Sequence, residues 1–325
     1  MARYNRSLDY KRLLKASLLL NGVLLLCVLL VLAISGGGRR QAAEEEAPAL
    51  QNVDTQALHD LAYEYGVSLE FLQLVLPDYL VYSHKGEYVF EPLDPDLPRH
   101  GYDWGALVYE HGRTAYRDYS FPDVLTGVDV SYFQKDIDWA AVAADGIDFA
   151  IVRLGYRGYS EGALFEDENA AANLDGAAAA GLLTGAYFFS QAVSVEEAEA
   201  EAELALQILD GRKLDLPVAF DMEEIYNETA RTDDLTRDEA TAIALAFCRR
   251  IEQGGYKAMI YGNTAWLAAR IDRSGLKNIP VWLAQYNYRP TYPYDFALWQ
   301  YTSGGQVEGV EDEVDLNLCF APDSL

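Results

Sequence analysis

The sequence predicts an α/β protein: a barrel-like (β/α)5(β)3 domain over residues 124–325, preceded by a transmembrane helix and a small membrane-proximal region. Three observations predict it. From Gly127 onward, strand-like apolar runs alternate with helix-period runs five times, and three further strands follow with little room for helices between them. Residues 17–35 form one apolar run without a charge. Residues 36–50, rich in glycine, alanine and glutamate, have no apolar period and read as a linker between the two.

Composition narrows the possibilities first. Of 325 residues, 50% are hydrophobic and 23% charged, which excludes disorder throughout and allows a large core. The net charge is −26, and seven basic residues against one acid fall within residues 1–40, so the remainder is more acidic still. A body of that sign repels phosphate backbones, which argues against a nucleic-acid partner.

The N-terminal elements follow in order. Residues 1–16 are a basic tail, with Arg3, Arg6, Lys11, Arg12 and Lys15. Residues 17–35 read SLLLNGVLLLCVLLVLAIS; at ~1.5 Å per residue this run matches the hydrocarbon thickness of a bilayer. The flanking charges keep the tail in the cytoplasm and put the bulk of the chain outside. A cleaved signal peptide is the rival, because Ala33-Ile34-Ser35 resembles a small-x-small cleavage site. Signal h-regions span only ~7–15 residues, which favours the uncleaved anchor. Residues 51–123 form a small region of two short helices broken at Gly66, a Pro/Asp-rich passage and a strand near Val108 and Tyr109. No chemistry is evident there; its histidines read as surface or loop residues, and the region as a spacer or wall-contact module.

The barrel elements are GVDVSY and a helix from Asp138; DFAIVRL and a helix over residues 166–180; LTGAYFFS and a helix from Ser194 to Leu209. Ser194 with Glu197 three residues on has the pattern of a capping box. LPVAFDMEE precedes a helix from about Thr236 to Gln253, and KAMIYG a short helix near residues 264–270. VWLAQY, FALWQY and VDLNLCF complete the eight strands.

Residue counts restrict the chemistry such a barrel can hold. All four histidines precede residue 112, so Ser-His-Asp and Cys-His triads and imidazole-bound zinc are absent from the barrel. Cys27, Cys248 and Cys319 are isolated, which leaves no disulfide framework or CxxC site. Carboxylates remain. Asp129 lies in the first strand, Asp221 and Glu223 end the fourth, and Asp315 lies in the last. Active sites of such barrels sit at the C-terminal strand ends. Asp221 and Glu223, two apart, share a face, and strands one and eight adjoin, bringing Asp129 beside Asp315. Phe220 and Met222 show a strand that otherwise wants burial, and burying carboxylates costs several kcal/mol unless offset. Glu224 points to the other face as a surface acid. A solvated strand end is the plainer reading of any lone Asp-x-Glu. Clustered oxygens would also suit Ca²⁺ or Mg²⁺, but no EF-hand-like spacing accompanies them, so no metal or cofactor is expected. Converging acids cleave acetals: one, its pKa raised, protonates the leaving oxygen while ionised partners stabilise an oxocarbenium-like centre. Tyr187, Tyr261, Trp282, Trp299 and Tyr301 at other strand ends are candidate stacking faces for sugar rings.

GVDVSYFQKDIDW, AGLLTGAYFFSQA, AFDMEE, VWLAQY and LWQYTSGGQVEGVEDEVDLN, in this order, resemble the glycoside hydrolase family 25 muramidases over roughly residues 124–325. The resemblance implies cleavage of the β-1,4 bond between N-acetylmuramic acid and N-acetylglucosamine in peptidoglycan glycan strands, without a cofactor. It implies Glu223 as general acid/base and Asp221 as the partner that holds the 2-acetamido group or stabilises the intermediate. Asp129 and Asp315 become supporting acids, and Tyr187, Tyr261, Trp282 and Gln300 substrate-binding residues. Many relatives end the third strand Tyr-His-Phe where this chain has Tyr187-Phe188-Phe189. The strong negative charge is also unlike that of secreted lysozymes, and a tether that fixes effective concentration at the wall fits local remodelling. A catalytically silent wall-binding protein, and a hydrolase of another N-acetylhexosamine polymer such as chitin, are the competing readings.

Overall fold

The computed structural model describes residues 55–325 apart from 122, 226–227 and 323–324. The apolar run 17–35, the basic tail and the linker lie outside the described residues, and among the described residues no helix is long and apolar enough to cross a membrane. Asp54–Leu325 is one compact unit.

That unit begins with helices α1 (Thr55–Tyr65) and α2 (Leu69–Val75), separated by Gly66 at φ 62°. Next comes an antiparallel hairpin of β1 (Tyr79–His84) and β2 (Glu87–Pro92), turning on Lys85 and Gly86, both at positive φ. This hairpin escapes the sequence reading, although alternating apolar residues around a Lys-Gly pair are a two-residue turn signal. A second hairpin, β3 (Leu107–Glu110) with β4 (Arg113–Tyr116), includes the strand expected at Val108 and Tyr109.

The barrel follows: β5 (Leu125–Val130), α3 (Trp139–Ala144), β6 (Phe149–Arg157), β7 (Leu164–Glu166), α4 (Ala170–Ala179), β8 (Leu183–Phe189), α5 (Val195–Leu209) and β9 (Val218–Asp221). Then come α6 (Arg237–Gln253), β10 (Ala258–Asn263), one turn of π-helix (Trp266–Arg270), β11 (Val281–Ala284), β12 (Leu298–Gly305) and β13 (Val314–Cys319). Strands β5, β6, β8, β9, β10, β11, β12 and β13 close into an eight-stranded ring. β13 runs antiparallel to both neighbours, and the rest are parallel. These are the eight strands predicted.

Local chemistry sets the helix ends. Asp138, Ser194 and Thr236 cap α3, α5 and α6 with side-chain oxygens. Thr236 forms a full capping box with Glu239. Ser194 forms only half of one: the Glu197 carboxylate turns instead to the Val193 N–H at 2.9 Å and to Arg231. The helix expected over 166–180 starts later, at Ala170. Asp167 is buried and accepts from Arg153, Tyr132 N–H and Asn169 N–H, so it serves as a turn residue and not a helical one.

Two layers of core result from strand alternation. Val128, Val152, Phe188, Phe220, Ile260 and Leu283 face outward against the helices. Phe149, Ile151, Ala219, Met259, Leu298 and Cys319 fill the interior below the mouth. Cys248 and Cys319 are buried free thiols. A Cβ on Gly127 would lie 2.3 Å from the Phe149 ring, so this position must stay bare. Gly127→Ala is expected to cost about 1–3 kcal/mol through overpacking, read as a lower melting temperature; an unchanged value would show that the floor can shift.

Residues 93–121 fasten to the barrel through an aromatic seam. Tyr102 stacks on Phe320 at 4.3 Å and donates to the Phe296 carbonyl at 2.6 Å. His100, expected as a surface residue, is half-buried between Tyr102 and Trp104, and desolvation pulls its pKa down to about 4. Trp299 and Tyr301 also belong to this outer layer. They are alternate to inward-facing Gln300, are buried on the helix side, and so are not stacking faces of the groove.

Candidate active site

The strand register brings the four acids together. Asp315 on β13 is the Cα partner of Asp129 on β5, as the adjacency of first and last strands requires. Asp221 ends β9 between Phe189 and Tyr261. β9 stops at Asp221, so Glu223 sits two residues past the strand, yet it lines the same groove. That groove, about 270 Å³, is lined by Asp129, Asp221, Glu223 and Asp315 and equally by Tyr187, Tyr261, Trp282 and Gln300. Glu224 is exposed. Phe188 faces the helix layer, beside Phe247, so the altered residue of Tyr187-Phe188-Phe189 does not touch the groove.

A directed hydrogen-bond network holds Asp129. Its Oδ2 accepts from Gln300 Nε2 at 2.8 Å and from Asn317 Nδ2 at 2.7 Å. Both amides are fixed in orientation by what they accept. Gln300 Oε1 receives the hydroxyls of Tyr261 at 2.9 Å and Tyr286 at 2.7 Å, and Asn317 Oδ1 receives the Trp282 indole N–H at 2.8 Å. Buried polar groups must be satisfied, and here that requirement aims two amide donors at one carboxylate.

All four acids are harder to ionise than in water. Burial lifts Glu223 to about 7, with the charge of Asp129 adding to it. Burial, then Asp129 and Glu223, lift Asp315 to about 8. Asp129 rises only to about 6, because the two amide donors oppose its desolvation. Asp221 is raised well above the carboxylate range by burial and by the charges of Glu223 and Asp129, against the pull of Arg153. Glu223 is the least enclosed of the pair it forms with Asp221. Its backbone carbonyl accepts from Gln191 Nε2 at 3.2 Å, and Gln191 is itself held by Thr232 at 3.1 Å.

Sequence reasoning misses Arg153 and Tyr286 in the groove wall and Asn317 behind it. Arg153, on β6, is the cation of the groove and donates to Asp167 at 2.8 Å. Its signal was a charged residue inside the apolar strand DFAIVRL, the same signal that marks Asp221. Tyr286 and Asn317 stand inside the quoted motifs VWLAQY and VDLN, but only the folded register shows that they orient Asp129. Among the described residues, no group of three or more His, Cys, Asp or Glu side chains is arranged to hold a metal ion.

Most of this site lies within a matched family region: the model of glycosyl hydrolases family 25 matches residues 128–310, more than half of the chain, and Asp315 and Asn317 fall just beyond it. The chain belongs to glycosyl hydrolase family 25. Relatives of this family 25 chain include the autolytic lysozyme of Clostridium acetobutylicum, 24% identical over 194 residues, covering 59% of this chain and 55% of that protein. Lysozyme M1 of Streptomyces globisporus is 28% identical over 203 residues, covering 59% of this chain and 67% of its own. The chain thus spans little more than half the length of the Clostridium relative. Among solved structures, the Clostridium perfringens spore cortex lytic enzyme SleM superposes with a TM-score of 0.53 at 24% identity, covering 62% of this chain and 69% of that one. That likeness is one of fold.

Proposed function

We propose that this family 25 chain is a peptidoglycan N-acetylmuramidase, hydrolysing the β-1,4 bond between N-acetylmuramic acid and N-acetylglucosamine. The observation that carries the reading is the convergence of Asp129, Asp221, Glu223 and Asp315 on one groove walled by Tyr187, Tyr261 and Trp282. Two of the relatives being lysozymes supports it. Glu223 is the general acid/base. Partly protonated near neutrality and facing the groove mouth, it gives its proton to the bridging oxygen as the C–O bond breaks, and later takes one from water. Asp221 is the stabilising partner: positive charge developing at the anomeric carbon offsets the burial and repulsion that oppose its ionisation, and favours its carboxylate. Asp129, oriented by Gln300 and Asn317, and Asp315 support the same centre electrostatically.

The apolar run 17–35 supports a single-pass anchor with a cytoplasmic N-terminus and the barrel outside, acting on the wall of the cell that carries it; cleavage after Ser35 would give a secreted form. The domain division into 1–16, 17–35, 36–50, 51–123 and 124–325 is part of the same proposal. Incubating the chain with purified peptidoglycan is expected to release new reducing ends, with muramic acid at the reducing terminus by product mass spectrometry. N-acetylglucosamine at that terminus would instead assign cleavage of the other linkage, and no release would favour a silent wall-binding protein.

A further inference from the structure

The strand that delivers the two central acids ends between them. β9 pairs with β8 as far as Phe189 opposite Asp221, and Glu223 lies two residues beyond that last rung. Past the ladder, the loop that follows β8 takes over. Ser190 N–H donates to the Asp221 carbonyl at 2.6 Å, and Gln191 Nε2 donates to the Glu223 carbonyl at 3.2 Å. Two consecutive loop residues thus grip the two acids, one each. Whatever fixes that loop fixes the distance between the carboxylates.

The loop is fixed by Glu201 on α5. Its Oε2 accepts from Ser190 Oγ at 2.6 Å, and the Gln191 N–H also favours its charge. The same Ser190 hydroxyl accepts from Ala192 N–H at 3.2 Å, which closes the turn. Glu201 is held in its place by Arg157, at the end of β6, whose Nε donates to Oε1 at 2.6 Å. The other two guanidinium nitrogens donate to the carbonyls of Gly162 and Glu197, at 2.7 and 2.9 Å, so the cation is anchored on every side. All four side chains, of Arg157, Ser190, Gln191 and Glu201, are buried. A buried ion pair is a poor source of stability, since apolar residues of similar volume often do as well or better. What such a pair supplies is direction, and here it is aimed at one loop.

We infer that Glu201 is a positioning residue for the reaction, acting through Ser190 and Gln191 to fix the spacing of Asp221 and Glu223. The inference rests on the muramidase reading. Glu201 does not line the groove, and Tyr261 and Trp282, on β10 and β11, owe nothing to this loop. Its effect therefore falls on the chemical step and leaves binding nearly as it was. Rate depends steeply on such placement, since a displacement of about 1 Å can cost about 10²-fold.

The test compares the full wild-type chain with Glu201→Gln, Ser190→Ala and, as a control for stability alone, Val142→Ala in α3, a buried core residue outside these bonds. Reducing-end release from solubilised peptidoglycan gives kcat and KM. NMR of the carboxyl carbons in glutamate-labelled chain gives the titration of Glu223, assigned by its loss in Glu223→Gln. In Glu201→Gln kcat is expected to fall about 10–100-fold, and in Ser190→Ala about three- to tenfold, with KM within about twofold of wild type. Glu223, kept at about 7 by burial and by Asp129, is expected to titrate at a pH lower by about 0.5–1 in both variants, because a loosened backbone admits water to it. Ser190→Ala changes no charge, so its shift is not the field of a lost carboxylate, and it leaves the ion pair intact should Glu201→Gln fail to fold. An unmoved Glu223 titration or a wild-type kcat in folded Ser190→Ala overturns the inference, whatever Glu201→Gln shows. So does an equal fall of kcat in Val142→Ala. If the wild-type chain releases no reducing ends while the Glu223 titration moves as expected, the positioning stands and the muramidase reading falls. Release by wild type with both variants behaving alike does the reverse.

Discussion

A Glu223→Gln chain is expected to release reducing ends from peptidoglycan about 10²–10⁴-fold more slowly than wild type while folding normally. Glutamine keeps the volume of the side chain and leaves the backbone contact from Gln191 in place, but it has no proton to give the bridging oxygen. The wild-type rate is expected to fall as pH rises through about 7, where Glu223 loses its proton. It is expected to fall also as pH drops through about 6, where Asp129 gains one. Interacting carboxylates titrate together, so these limbs belong to the cluster. Stability should follow the same acids. Each has its folded pKa above its unfolded value, so the folded chain binds more protons than the unfolded one. Their contribution is complete below about 4 and is lost as pH rises through about 8. Glu223→Gln removes one of these titrations and should flatten the pH dependence of the melting temperature. A variant that keeps wild-type turnover would take the proton donor away from Glu223 altogether.

How much of this was readable in advance depended on how local the signal was. The eight strands were legible because each is a short apolar run ended by glycine, proline or charge, and their order in a barrel follows from chain order. The pairing of Asp129 with Asp315 followed from closure alone, since the first and last strands of a ring must touch. Side-chain direction was harder. Alternation puts Asp221 and Glu223 on one face, and they do share the groove although β9 ends between them. The same alternation rule, applied to FALWQY, would have turned Trp299 and Tyr301 away from the groove once Gln300 was placed inside it. Arg153 is harder to place, because a cation in a strand looks like a solvated residue until its partner is known, and Asp167 lies fourteen positions away beyond a turn. The hairpin at Tyr79–Pro92 was lost among aromatic and Pro/Asp-rich residues. Its place beside Glu223 is a tertiary fact, set by contacts between segments about 140 to 200 residues apart.

Arg153→Met is expected to destabilise the fold by about 3–5 kcal/mol, the range for removing one partner of a buried ion pair. Arg153 is 8% exposed and Asp167 1% exposed, so neither charge can turn to water when the other is lost. Asp167 would keep the N–H groups of Tyr132 and Asn169, at 3.1 and 3.0 Å, which can share its charge but not neutralise it. The guanidinium also lies 5.0 Å from the ring centre of Tyr132, 5.4 Å from Phe133 and 5.1 Å from Tyr156, and methionine forfeits that cation–π contact. Arg153→Lys retains a charge but not the planar fork, and should lose less. Activity offers a separate readout. Arg153 is the cation that pulls Asp221 toward its ionised form, so its removal should make Asp221 harder still to ionise and slow turnover of the folded protein, an effect that packing loss alone would not produce. Denaturant unfolding of Arg153→Met, Asp167→Asn and the double variant gives the coupling between the two positions. If the ion pair sets the cost, the double variant recovers much of the loss, because no buried charge is left uncompensated. Strictly additive losses would instead mean that Arg153 stabilises the barrel through its aromatic contacts, and that the N–H groups around Asp167 suffice for its charge.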